Sequence, residues 1–567
     1  MNKFKNIRQN KPIFFLLLYS LFLILSIGSI YWSLIHRQQL FLGDDIQFHL
    51  GRIEGLKLSI FNGDFFPKIN YFFLNGMGYA SNIFYPDLLL YPAALLRLAG
   101  VSIAQSYIIY LIGINFLTFV ISYHAFYFWR KSPAKSLMFS LLYTLASYRL
   151  SDVIFRAALG EILALMVLPI AFVGLLKIVD GEYRQFYWLT IGMALLFASH
   201  LITAFIFCLF IVVFLLLNWR KLVQEKQRVV FLAIATVSTV GLVALYLFPM
   251  LEQLQFQKLA VQTDQMFYLE KTAQSFSYYL KNAWNNLGFN NVGLLLLVMM
   301  VLFIVRIKNI SKLGKQLLFS SVLFLFLATN YFPYRYFNQT LLNTIQFPWR
   351  FFTIVTLCMC WLVSDQLDVL LPQKKWVQRM TLPLIGLVLI VSSLFYQSGL
   401  KTTVLEKERI VPYSFFSELN PEVLGYGREY LPSGFKYMMD PHGLIIEPPT
   451  TKVSNLSRTY NVMTLDFQEA EKTRLLFPII YYKGYQVEVE GQATVSKINK
   501  STIPYGFCEV EVTGTGRLTF WYEGTLVQKI SAGVSLISAV LLLCYILLTN
   551  GNNTEWKKIK ARIKTKD

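Results

Sequence analysis

Apolar runs of membrane-spanning length recur along this chain, and they constrain it more than any motif does. Read in windows of about 20 residues, the length a bilayer core demands of a helix, they predict twelve spans. These lie near 12–35, 106–129, 135–150, 161–178, 185–199, 201–217, 229–250, 289–306, 315–331, 351–370, 380–397 and 529–548. Of the 567 residues 55% are hydrophobic and 15% charged, and mean hydropathy is +0.49. A water-soluble chain could not hide that much apolar surface, so lipid is the solvent for most of it. "MNKFKNIRQNK" leads into the first span, which is too long and polar-ended for a cleaved signal peptide and reads as a retained anchor.

The net charge of +20 does not gather into one patch, which argues against nucleic acid as a partner. It falls in "RKSPAK", "KIVDGEYR", "NWRKLVQEKQR", "RIKNISKLGK", "PQKKWVQR" and the tail "KKIKARIKTK", every second connection. By the positive-inside rule both termini are cytoplasmic and the protein is a multi-pass plasma-membrane protein. The short basic loops leave no room for a nucleotide-binding domain, and the long connections 36–105, 251–288, 332–350 and 398–528 face outward. An enzyme there needs a substrate already activated and already across the membrane, such as a lipid-linked sugar phosphate.

Three units follow: residues 1–397, a multi-span domain with the large first outer loop 36–105; residues 398–528, an outer β-rich domain; and residues 529–567, the last span and basic tail. Alternation in "YQVEVEG" and "RLTFWYEG" predicts strands, read as a small β-sandwich. Cys508 is the one cysteine of that domain, and Cys208, Cys358, Cys360 and Cys544 lie in spans, so neither an internal disulfide there nor a cysteine metal motif is expected. There is no internal repeat of the kind that builds many transporters.

Charged residues among apolar ones mark the candidate site. In "FLGDDIQFHLGR", Asp45, His49 and Arg52 fall within an arc of about 60° on a helix, beside Asp44 and framed by Ile46 and Phe48. Either the stripe is a juxtamembrane helix closed by an Asp45–His49–Arg52 ion network, or it faces a polar cavity. In "SYRLSDVIFRAALGE", Arg149, Asp152 and Arg156 share a helical face, and Glu161 opens the next span, where it could simply favour the helix dipole. In "NTIQFPWRFF", Arg350 opposes both the dipole of its helix and the orientation rule, so an anion, a lipid or substrate phosphate, is expected beside it. Arg335 of "NYFPYR" lies in the same loop, and His200 breaks the apolar run "ASHLITA", either as a helix-packing hydrogen bonder or as a ligand contact. No zinc-ligand spacing, Gly-rich phosphate loop or G-x-S-x-G elbow occurs.

The pieces "GDDIQFH", "NIFYPDLLLYP", "YRLSDVIFRAALGE", "SHLIT", "LFPMLEQ", "QFPWRFF", "EYLP" and "PIIYYKGYQVEVEG" occur in an order that resembles the YfhO-type bacterial membrane proteins of the GT-C fold. Some of these carry a "6-pyruvoyl-tetrahydropterin synthase-related" label, but the zinc ligands that label implies are missing. The resemblance implies a GT-C-like glycosyltransferase that takes a polyprenyl-phosphate-linked sugar at the outer face and passes it to a cell-envelope acceptor, a teichoic acid or polysaccharide. Asp44 or Asp45 would then be the general base, or would hold a divalent cation, Mg²⁺ or Mn²⁺, at the donor phosphate. Arg156, Arg335 and Arg350 would neutralise that phosphate, with His49, Arg52, Glu161 and His200 also lining the substrate site. The adjacent acids depart from a strict D-x-D pattern, which leaves metal dependence open. Two other readings are a flippase of lipid-linked glycans and a non-catalytic envelope assembly factor.

Overall fold

The computed structural model describes residues 11–263, 266–285, 290–371, 380, 383–393, 409–425, 428–436 and 439–564. Every apolar run carries helix within those residues. The helices are α1 (Lys11–Ile30), α3 (Ile103–Arg130), α4 (Pro133–Thr144), α5 (Leu159–Val179), α6 (Tyr187–Ser199), α7 (Leu201–Leu217), α8 (Gln227–Phe256), α9 (Leu294–Val305), α10 (Lys312–Leu327), α11 (Phe352–Gln366), a short one at Pro383–Ser393, and α12 (Leu526–Lys564). Helix α2 (Ile46–Phe61) belongs to the first large loop. Among the described residues six segments are long and apolar enough to cross a membrane: Pro12–Ile35, Ile103–Arg130, Leu159–Val179, Gln227–Phe256, Pro348–Val369 and Leu526–Thr549. The other helices at the apolar runs are shorter. The connection 372–379 and the ends of the run at 380–397 lie outside the described residues.

Local chemistry sets the ends of these helices. Ser102 and Ser311 cap α3 and α10 by accepting from Gln105 N and Gly314 N, and Pro133 sits in the first turn of α4, where its missing N–H costs nothing. Pro249 lies inside α8 and cannot donate to the Leu245 carbonyl. That carbonyl instead accepts from Lys68 Nζ of the first large loop at 3.5 Å. Glycines let helices approach closely: a Cβ on Gly192 would lie 2.3 Å from Ala171 N, and one on Gly241 would lie 2.4 Å from Ser538 Oγ. These contacts join α5 to α6 and α8 to α12.

The β-rich segment forms one antiparallel sheet where two sheets were expected. Its long strands β5 (Val462–Ile480) and β8 (Tyr505–Tyr522) pair along most of their length. Strands β4 (Lys452–Arg458) and β6 (Tyr485–Val495) flank one half of that pair, and β3 (Ile445–Glu447) and β7 (Asn499–Thr502) flank the other. Register shifts in β5 between Phe467 and Thr473 separate the halves. Bulges bend strands, so this one pair of long strands serves two sets of neighbours within a single sheet. The sheet's apolar face, with Leu465, Phe467, Leu475, Phe477 and Phe520, shares a core with Ile69, Tyr71, Phe73, Met77 and Tyr79 of the first large loop. A two-stranded ribbon, β1 (Gln39–Phe41) with β2 (Ile410–Pro412), ties the start of that loop to the start of the β-rich segment. The loop is thus held between helices and sheet.

Candidate functional site

The Asp44–Asp45 turn is fixed by a close backbone approach. A Cβ on Gly43 would lie 2.3 Å from Phe155 O and 2.7 Å from Arg156 O, so only glycine lets the two segments meet. Asp45 N donates to Arg156 O at 3.3 Å, Leu42 N donates to Arg409 O at 2.5 Å, and the rings of Phe41 and Phe155 meet edge to face. These contacts bring "GDD" onto "FRAALG" from more than a hundred residues away.

At that junction the buried Arg156 donates from Nη1 to Asp152 Oδ1 at 2.5 Å and to Glu161 Oε2 at 3.0 Å. Glu161, in the first turn of α5, also accepts from Tyr148 Oη and lies 3.9 Å from Arg350 Nε. Arg350 donates from Nη1 to Ile345 O at 2.7 Å and Gln346 Oε1 at 3.0 Å, with its guanidinium over the Phe347 ring. The Nε atoms of Arg156 and Arg350 are buried without a hydrogen-bond partner among the described residues. The expected anion beside Arg350 is therefore Glu161 in part, at a distance too long for a hydrogen bond.

The two adjacent acids differ. Asp44 is exposed and lies 3.9 Å from Arg156 Nε and 3.7 Å from Arg409 Nη1. Asp45 is the N-cap residue of α2, yet its side chain makes no cap bond, and among the described residues it forms no ion pair. Burial pushes its carboxyl up to about 6; Arg156 pulls it down, and Asp44 adds to the rise. Asp44 thus faces two guanidinium groups, and among the described residues no group of three His, Cys, Asp or Glu residues could hold a metal ion.

The polar stripe that sequence reading drew along α2 divides. Arg52 does not reach Asp45. Its Nη2 donates to Tyr85 O and Pro86 O at 2.9 Å and to Asp87 Oδ1 at 2.8 Å, while its guanidinium lies 4.0 Å over the Tyr85 ring. His49 Nδ1 lies 3.3 Å from Arg52 Nη1, and burial, Arg52 and His200 hold its imidazole well below the ordinary range. No Asp45–His49–Arg52 ion network forms. The face shared by Arg149, Asp152 and Arg156 also divides: the helix passes into a π turn at Asp152–Arg156, and Arg149 donates to Thr144 O, Asn115 Oδ1 and Thr118 Oγ1. Arg335 is exposed against Tyr336, and none of its described contacts reaches the cluster. His200 caps α7, its Nδ1 accepting from Thr203 N and lying 2.8 Å from Thr203 Oγ1, and its ring faces Tyr85.

Asp87 and Tyr85 are the residues that sequence reasoning missed. An arginine framed by Phe48, Leu50 and Ile53 requires a buried acid, and Asp87 in "NIFYPDLLLYP" was among the few acids in the loop. Beside this pair a small apolar pocket lies between Phe84 and Pro86 of the loop and Val243, Tyr246 and Leu247 of α8, with Phe197 and Leu201 also lining it.

A relative in Lactococcus lactis subsp. cremoris, described only as an "Uncharacterized protein", is 25% identical over 221 residues, 38% of this chain. The chain spans 36% of that relative's length. The family model described as "Bacterial membrane protein YfhO" matches residues 63–417, which include Asp87, Arg156, Glu161, His200, Arg335 and Arg350 but begin beyond Asp45 and end before the sheet. With more than half of its length matched, the chain belongs to the YfhO family of bacterial membrane proteins.

Proposed function

We propose that this protein is a membrane glycosyltransferase of GT-C type that moves a sugar from a polyprenyl-phosphate-linked donor to a cell-envelope acceptor, a teichoic acid or polysaccharide, at the outer face of the plasma membrane. The observation that carries the reading is the Asp45 carboxyl, which forms no ion pair among the described residues and which burial pushes up to about 6, beside two buried guanidinium groups whose Nε atoms make no hydrogen bond. A base poised near the working pH suits removal of a proton from an acceptor hydroxyl. The freed oxygen attacks the anomeric carbon, the bond from that carbon to the phosphate oxygen breaks, and its electron pair leaves with the lipid phosphate. Arg156 and Arg350 stabilise the charge that develops on that phosphate.

Transfer by membranes carrying Asp45→Asn or Asp44→Asn, at matched protein levels, tests the reading. Loss of a general base lowers rates about 10²–10⁴-fold, and that loss is expected for Asp45→Asn, with Asp44→Asn retaining most activity. Full activity in both variants would leave the assembly-factor reading in its place. The outward orientation has its own check: Lys497→Cys should react with an impermeant thiol reagent in intact cells, and no reaction would reverse the topology.

A further inference from the structure

The first large loop leaves apolar side chains uncovered where a water-facing loop carries polar ones. Phe61, Phe65 and Phe66 of "FNGDFF" are 77%, 57% and 75% exposed. The short apolar helix Leu88–Leu98 leaves Leu88, Pro92 and Leu95 exposed, and Ala99 follows them. These positions recur at helical spacing, so they form one stripe, and every exposed residue in it is apolar. The one charged residue of this helix, Arg97, turns back to pair with Glu54 of α2. A helix bounded by water shows the opposite arrangement.

Polar groups tie the two apolar pieces into one surface. Tyr91 Oη donates to Phe65 O, Asp64 N donates to Ser59 O at 2.9 Å, and Phe66 N donates to Asp64 Oδ1 at 3.3 Å. The height of this surface is set by α8. Glu252 accepts from Thr525 Oγ1 at 2.6 Å and pairs with Lys483 Nζ at 2.9 Å, a polar belt where α8 and α12 meet the sheet. Lys68 Nζ reaches Leu245 O at 3.5 Å, and Phe84 and Pro86 line one pocket with Val243 and Leu247. Leu245 lies about 10 Å along α8 from Glu252, toward the middle of the span. Its N–H donates to Ser535 Oγ of α12, about 13 Å along that helix from Leu526. The loop therefore stands beside the first turns of both spans, not above them.

We infer that Phe61, Phe65 and Phe66, with the stripe on Leu88–Leu98, form a wedge seated in the lipid leaflet on the sheet's side of the membrane. A surface at this level faces headgroups and acyl chains, which selects phospholipid as its occupant. A turn with free backbone groups cannot enter the centre of the hydrocarbon, so the rings reach the boundary of headgroups and acyl chains, about 5–10 Å deep. The wedge holds the far end of α2, while Asp45 at the near end is held by Arg156 O. Lipid thereby steadies the loop that carries Asp45 and Asp87, whatever reaction the protein performs.

The full chain in phosphatidylcholine nanodiscs tests this, with Cys208→Ala and Cys544→Ala removing the cysteines that are not buried. The fluorophore NBD is attached at Phe66→Cys, at Leu95→Cys, or at Lys497→Cys between strands of the sheet. Phe66 and Leu95 are exposed, so both variants should fold, which fluorescence-detected size exclusion checks. At Phe66→Cys and Leu95→Cys the emission should shift to the blue and be lost when doxyl-labelled phosphatidylcholine is included, while iodide leaves it unchanged. Lys497→Cys should show the reverse. Quenching by iodide at either loop position would place the surface in water and overturn the wedge. A blue-shifted label that neither quencher reaches would mean that protein, such as a second copy of this chain, covers the surface, and would overturn lipid as its occupant.

Discussion

Arg52 and Arg156 are both buried guanidinium groups at the start of the membrane domain, and their surroundings differ. At Arg52 Nη2 donates to Tyr85 O, Pro86 O and Asp87 Oδ1 and Tyr85 covers the cation's face, while Nε is buried without a hydrogen bond. At Arg156 Nη1 is used by Asp152 and Glu161 and Nε likewise has no hydrogen bond, but Asp45 nearby forms no ion pair among the described residues. In the first arrangement the buried acid has its cation, Asp87 on Arg52 at 2.8 Å, which holds the loop in shape. In the second the acid Asp45 is left without one, which is what a group acting on a ligand needs. A buried charge is therefore better judged by what it still lacks than by its being buried.

Arg52→Ala breaks this contrast most severely. It leaves the Asp87 carboxylate buried without its cation, and removing one partner of a buried pair costs about 3–5 kcal/mol. The expected outcome is loss of folded protein in the membrane, measured by fluorescence-detected size exclusion. Asp87→Ala should do the same. Normal abundance of both variants with lost transfer would move Arg52 from the scaffold to the substrate site.

Arg350→Lys is a gentler change. Charge is kept, but the planar fork that bonds Ile345 O and Gln346 Oε1 while aiming Nε elsewhere is lost. Binding of bare undecaprenyl phosphate should weaken about tenfold, roughly 1.4 kcal/mol, with abundance unchanged. An unchanged affinity would return Arg350 to a structural part with Glu161.

The helices were legible in the sequence because a bilayer needs about 20 apolar residues in a row, and few other folds do. Asp45, Arg156, Glu161 and Arg350 were legible for a related reason: charges at the ends of apolar helices are conspicuous. Helical periodicity misled where the helix stopped being regular. It placed Arg149 with Arg156, but the π turn at Asp152–Arg156 and the left-handed Ala157 rotate one face away from the other. It placed Arg52 with Asp45, but the true partner is 35 residues on, reached through a loop that reverses at Leu74 and Asn75, both with positive φ. Such long-range partners depend on tertiary path, which no spacing rule encodes. The β strands were read correctly as strands, but their assembly into one bent sheet depends on bulges that alternation does not reveal.

The finest distinction between the two arrangements is one of stability against pH. Asp45 titrates near 6 in the folded chain, above the usual carboxylate value of about 4. A carboxyl raised in this way binds its proton more tightly when folded, so wild-type stability falls as pH rises from about 4 to about 6 and stays lower above that. Asp45→Asn removes the penalty. The full shift corresponds to at most about 3 kcal/mol, and partial exposure reduces it to roughly 1 kcal/mol. The variant should therefore unfold at a slightly higher temperature than wild type at pH 8, and the gap should close as pH falls through 6 toward 4, although the same variant is expected to lose transfer. Asp44→Asn, which gives up its ion pairs with Arg156 and Arg409, should show no such gain. Thermal unfolding of the three proteins in matched detergent across pH 4–8 reads the effect. A destabilised Asp45→Asn at pH 8 would mean that Asp45, like Asp87, is a partner the fold depends on, and the contrast between the two arginines would no longer mark the site.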